Sequence, residues 1–129
     1  MTMPFLRSWH DFMRSQDAEA LWTLLDPDVV FESPVVHTPQ RGREITCKYL
    51  LSAGKVLGGP MFRYVGEYLG DDAAVLKFET EIDGITINGV DIIHCDREQR
   101  HITTFKVMVR PLKAINLLHQ LMGAELMRR

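Results

Sequence analysis

Apolar residues recur at helical spacing through the first half of the chain and at alternate positions through the second. Phe5, Trp9, Phe12 and Met13 make one stripe, and the spacing predicts a first helix that Thr2 can cap and whose opening turn accepts Pro4. That helix should stop near Ser15-Gln16. Asp17 then suits the N-cap of a second helix, Ala18 to Leu25, with Leu21, Trp22, Leu24 and Leu25 as its buried side, ended by Asp26-Pro27-Asp28. Val29 to Glu32 reads as a short strand closed by Ser33-Pro34. The stretch from Val35 to Gln40, with Pro34 and Pro39 at its ends, should be neither helix nor central strand. A third helix, Glu44 to about Leu57, carries Ile45, Tyr49, Leu50, Ala53 and Leu57 on one side, and Gly58-Gly59-Pro60 ends it.

From there the period changes to two. Strands are predicted near residues 61–69, 73–82, 85–95 and 102–110, with turns at Gly70-Asp71-Asp72, at Asp83-Gly84 and over the polar run from Asp96 to Arg100. Pro111 stops the last strand and opens a closing helix with Leu112, Ile115, Leu118, Leu121, Met122 and Leu126 on one stripe. Helices gather early and strands late. This order predicts an α+β class, a curved antiparallel sheet with helices packed on one face, in one domain spanning residues 1–129.

Composition narrows the function classes. A chain of 129 residues with 46% hydrophobic and 25% charged residues can bury a core, and it has no apolar run long enough to span a bilayer. A soluble, cytoplasmic protein is expected, with no membrane partner. The net charge is -2, and there is no basic cluster beyond Arg128-Arg129, so nucleic acid is not an expected partner. Cys47 and Cys95 lack metal or redox spacing and are expected as free thiols. The five histidines show no ligand spacing, so neither a metal nor a cofactor is expected.

Asp91 is the residue out of place. It sits in the middle of a predicted strand, where a carboxylate is disfavoured, and an interior carboxylate must be paired, hydrogen-bonded or neutralised. Pairing about the Asp96–Arg100 turn sets Lys106 nearly opposite, either as a buried ion pair or as an acid-base couple, although a one-residue slip would send Lys106 to the other face. His37, in the loop after Pro34, is either a solvated loop residue or a base at a pocket rim. His94 should point to the opposite face from Asp91. Trp9, Phe12 and Trp22 are either helix core or the lining for a flat apolar ligand.

Four motifs, in order and at matching spacing, carry a resemblance: Phe31-Glu32-Ser33-Pro34-Val35, Arg41-Gly42-Arg43-Glu44, Gly89-Val90-Asp91-Ile92-Ile93 and Val107-Met108-Val109-Arg110-Pro111. With them the chain resembles the SnoaL-like branch of the nuclear transport factor 2-like (NTF2-like) superfamily, which includes polyketide cyclases and is related to ketosteroid isomerase. The resemblance implies a conical half-barrel with a ligand in its mouth and a homodimer through the outer sheet face. It places Asp91 where ketosteroid isomerases keep a protonated aspartic acid facing the developing oxyanion. Ser33 falls where those isomerases carry their general base, and Trp9 falls at their oxyanion tyrosine. Isomerisation of steroids by the usual two-carboxylate route is therefore not expected.

Two functions follow as expectations. One is a cofactor-independent cyclase, isomerase or hydratase acting on a small hydrophobic carbonyl compound, with Asp91 as general acid and His37 or Lys106 as base. The other is a non-catalytic ligand-binding module of the same fold. In either, Trp9, Phe12, Trp22 and Ser33 are the candidate ligand contacts.

Overall fold

The structure, a computed structural model, describes residues 3–128. Thr2, the expected cap of the first helix, and Arg129 lie outside the described residues. Helix α1 (Pro4–Ser15) buries Phe5, Leu6, Trp9 and Phe12, and it ends where Gln16 turns left-handed (φ 56°) and returns its N–H to the Phe12 carbonyl. In α2 (Ala18–Leu24) the Asp17 carboxylate accepts from Glu19 N at 3.1 Å, as its cap position predicts.

Trp22 corrects the expected buried side of α2. It is 44% exposed, with the Arg43 guanidinium 4.7 Å from its ring centroid. The helix is only seven residues long and buries Leu21 and Leu24. Trp22 lies about 100° round from Leu21 and falls on the flank. Leu25 already belongs to strand β1 (Leu25–Glu32), which is longer than its apolar run; the pairing of β1 with the sheet is irregular between Leu25 and Val30, where Pro27 has no N–H to give. A two-residue strand β2 (Gln40–Arg41) pairs with β1, a short element within a stretch expected to be irregular up to Gln40.

Helix α3 (Arg43–Leu57) leads to the meander β3 (Arg63–Leu69), β4 (Ala73–Ile82), β5 (Ile85–Cys95) and β6 (Ile102–Arg110), and α4 (Leu112–Met127) closes the chain. The Asp83-Gly84 turn between β4 and β5 has positive φ at both residues, 51° and 77°, as its sequence predicts. The six strands run in the order β2-β1-β6-β5-β4-β3. The meander is antiparallel as expected, but β1 joins the open edge of β6 in parallel, so the curved sheet is mixed. Helices α3 and α4 pack on each other and against the sheet, giving the expected α+β arrangement of a curved sheet with helices on one face.

The register between β5 and β6 decides which side chains meet. A bulge between His94 and Cys95 leaves Thr103 unpaired, so Asp91 lies opposite Val107 and Ile92 opposite Lys106. Counting back evenly from the turn puts Lys106 opposite Asp91. The single extra residue sends Lys106 to the other face, where its Nζ lies 3.5 Å from Glu32 Oε2. Gly89, two residues before Asp91, is required by packing: a Cβ there would sit 2.3 Å from Phe78 Cζ and 2.8 Å from the Met108 carbonyl oxygen. Both cysteines are free and buried.

Candidate functional site

Between the concave face of the sheet and the helices lies a cavity of ≈ 250 Å³. Asp91 stands in its wall on β5, near the middle of the strand order, and is only 6% exposed. On one side are Phe105 of β6 and Phe31 of β1; on the other are Phe78 of β4 and Tyr64 of β3. Trp9 of α1 reaches the same wall, and Leu118 and Met122 of α4 also line the cavity. The exposed lining residues are Val36, Gly58, His119 and Gly123, so the mouth opens between the loop after β1, the end of α3 and α4.

A hydrogen-bonded chain ends on Asp91. Trp9 Nε1 donates to the Tyr64 hydroxyl at 3.0 Å, and that hydroxyl lies 2.6 Å from Asp91 Oδ2. An indole only donates, so the Tyr64 hydroxyl accepts from Trp9, and it donates its own hydrogen bond to Asp91 Oδ2. Oδ1 takes no hydrogen bond among the described residues and is the oxygen left for a proton or a ligand.

Burial favours the uncharged carboxyl and pushes the Asp91 pKa up to about 7, while the Tyr64 hydrogen bond pulls the other way. Tyr64 titrates well above its ordinary value, first because it is buried and then because of the adjacent Asp91 charge. Asp91 is thus a carboxylic acid that holds its proton far above the usual aspartate range. Among the described residues no other carboxylate lines the cavity.

The structure brings together Trp9, Ser33 and Asp91 of the candidates read from the sequence. Ser33 Oγ accepts from Val35 N at 3.0 Å and Val36 N at 3.3 Å, which shapes the loop at the mouth. Phe12 is buried behind the site, with its ring 5.3 Å from that of Trp9, and does not line the cavity. Trp22 is on the outside of α2. His37 is exposed and outside the lining, because the turn that Ser33 holds carries the chain outward after Val36. Lys106 is on the other sheet face for the reason of register given above. His94 is exposed opposite Ala73, on the face away from Asp91 as expected.

Sequence reasoning missed Tyr64, Tyr49 and His119. Tyr64 belongs to no motif, and its pairing with the buried Phe78 depends on an irregularity between Tyr64 and Gly66; the available signal was only an aromatic with a hydroxyl on a predicted strand. Tyr49 was read as part of an apolar helix side, although its hydroxyl has no partner among the described residues and it lines the cavity.

No protein-family model matches the sequence, and no curated protein matches it. Solved structures do. A steroid delta-isomerase from Pseudomonas aeruginosa superposes with a TM-score of 0.89 at 30% identity, over 96% of this chain and 90% of that one. An uncharacterized protein with a cystatin-like fold from Silicibacter pomeroyi DSS-3 gives 0.88 at 25% identity, over 98% and 87%. A putative SnoaL-like polyketide cyclase from Shewanella putrefaciens CN-32 shares the fold, with a TM-score of 0.64 at 15% identity over 97% and 84%. With the isomerase matched over nearly its whole length at this identity, the chain belongs to the SnoaL-like, NTF2-like superfamily.

Proposed function

We propose that the chain binds a small hydrophobic carbonyl compound and turns it over without a cofactor, as a cyclase, isomerase or hydratase with Asp91 as general acid. The observation that carries this reading is the buried Asp91 carboxyl in the apolar cavity, oriented through Oδ2 by Tyr64 with Oδ1 left free. A carbonyl oxygen seated on Oδ1 would meet a proton donor. As negative charge develops on that oxygen, the hydrogen bond from a neutral acid strengthens, and the apolar lining keeps water from screening it. The similarity to a steroid delta-isomerase supports the carbonyl chemistry.

A second reading, a ligand-binding module without turnover, is favoured by one specific arrangement. His37 and Lys106, expected to supply a base, are both outside the cavity, and Ser33 stands where the related isomerases carry theirs. The homodimer belongs to the same proposal. Lys77, Val90 and Met108 lie in register across three strands on the outer face, and Met108 is 55% exposed. A monomer mass by light scattering would remove it.

Exchange of α-protons into deuterated water, followed by mass spectrometry on a simple cyclic ketone, separates the two functions. With Asp91 giving its hydrogen bond to the carbonyl oxygen and a water entering by the mouth taking the α-proton, catalysis predicts exchange above the buffer rate that falls about a hundredfold or more in Asp91→Asn and is unchanged in His37→Gln and Lys106→Met. Exchange at the buffer rate, with ketone affinity still dependent on Asp91, leaves the binding module.

A further inference from the structure

The size and lining of the cavity restrict the ligand further. An engineered apolar cavity of about 150 Å³ holds one benzene ring, and ordinary ligand pockets run from about 300 Å³ upward. At ≈ 250 Å³ this cavity has room for somewhat less than two such volumes. Its walls are aromatic on both sides of Asp91. The Phe31 and Phe105 centroids are 6.2 Å apart on one side, and on the other Phe62 and Phe78 stack at 5.3 Å with an interplanar angle of 27°. Flat rings meet such walls in the offset or edge-on contacts that aromatic pairs prefer.

The buried polar groups of the lining are few, Asp91 with Tyr64 on the sheet and, on α3, the Tyr49 hydroxyl, unpartnered among the described residues. Asp91 and Tyr64 offer the buried hydrogen-bonding pair, and His119 meets solvent at the mouth. At ≈ 250 Å³ the cavity has the volume for one to two rings of a ligand anchored at Asp91. Any further ring lies beyond the mouth and gains little, because binding free energy follows the apolar area removed from water.

We infer that the ligand is a planar compound of one or two fused rings, anchored by one carbonyl or enol oxygen at Asp91, and that two rings fill the cavity best. This rests on the reading of Asp91 as the anchor. It separates the chain from a four-ring substrate, although the fold is that of a steroid isomerase neighbour.

Calorimetric titration with phenol, 2-naphthol and a four-ring 4-ene-3-ketosteroid tests it, since a phenol oxygen mimics an enol. The expected order is 2-naphthol about tenfold tighter than phenol, with the ketosteroid no tighter than 2-naphthol. Met122→Ala, which lengthens the cavity at α4, should improve the ketosteroid relative to 2-naphthol. A ketosteroid bound tenfold tighter than 2-naphthol by the native chain, or phenol bound as well as 2-naphthol, overturns the inference, as does binding of none of the three at millimolar concentration. Repeating the series in Asp91→Asn keeps the two claims apart. If the order persists with all affinities reduced, both stand; if it persists with affinities unchanged, the size limit stands and the anchor fails.

Discussion

The Tyr64 hydroxyl donates a hydrogen bond to Asp91 Oδ2 across 2.6 Å and accepts one from the Trp9 indole behind it. A side chain on α1 therefore buttresses the hydroxyl that occupies one oxygen of the carboxyl on β5 and leaves the other free. This relationship ties the first helix to the centre of the sheet, and the chemistry of the site hangs on it.

Removing the hydroxyl should show both halves of that link. Tyr64→Phe leaves the Trp9 indole N–H without its acceptor in a part-buried place, a loss of about 1–3 kcal/mol. It also removes the interaction that lowers the Asp91 pKa, so the carboxyl should titrate higher still. Urea denaturation at pH 5 and pH 8 checks this: the variant should be weaker at both, and more so at pH 8, where an ionised Asp91 would have no donor.

Asp91 should make the native chain less stable as pH rises. Its pKa is raised from 3.8 unfolded to about 7 folded, so between those values the folded state holds more protons than the unfolded one. The stability contributed by the neutral form is complete below about pH 4 and is lost as pH rises through 7, amounting to a few kcal/mol. Asp91→Asn keeps an oxygen for Tyr64 and has no charge to bury. Thermal melts should therefore find it more stable than the native chain at pH 8, with the advantage shrinking towards pH 5.

Gly89→Ala should damage the site without touching its polar groups. The new methyl would be forced against the Phe78 ring, 2.3 Å away, and the fixed Met108 carbonyl at 2.8 Å. Overpacking of this kind costs about 1–3 kcal/mol. A lowered urea midpoint, with weaker ligand binding at the Asp91 wall, is the expected result.

Most of the frame was legible from periodicity. The meander from β4 to β6 and the closing helix follow local signals, with turns marked by Asp83-Gly84 and Pro111. Asp91 was legible too, because a carboxylate in an apolar strand needs an explanation wherever it lies. What the sequence hid was long-range. Tyr64 and Trp9 meet across 55 positions and Tyr64 and Asp91 across 27, so no local pattern announces either contact. Lys106 was misplaced by one unpaired residue at Thr103, since a bulge leaves no mark that alternation can detect. Trp22 was misassigned because a seven-residue helix is too short for its apolar stripe to fix which face is inward.

The most direct test is the titration of the Asp91 carboxyl by carbon-13 NMR, with Asp91→Asn as the assignment control. A midpoint near 7 is expected, since burial outweighs the Tyr64 hydrogen bond. A midpoint at the ordinary aspartate value of about 4 or below would mean a solvated or ion-paired carboxylate, and would contradict Asp91 as the acid of this site.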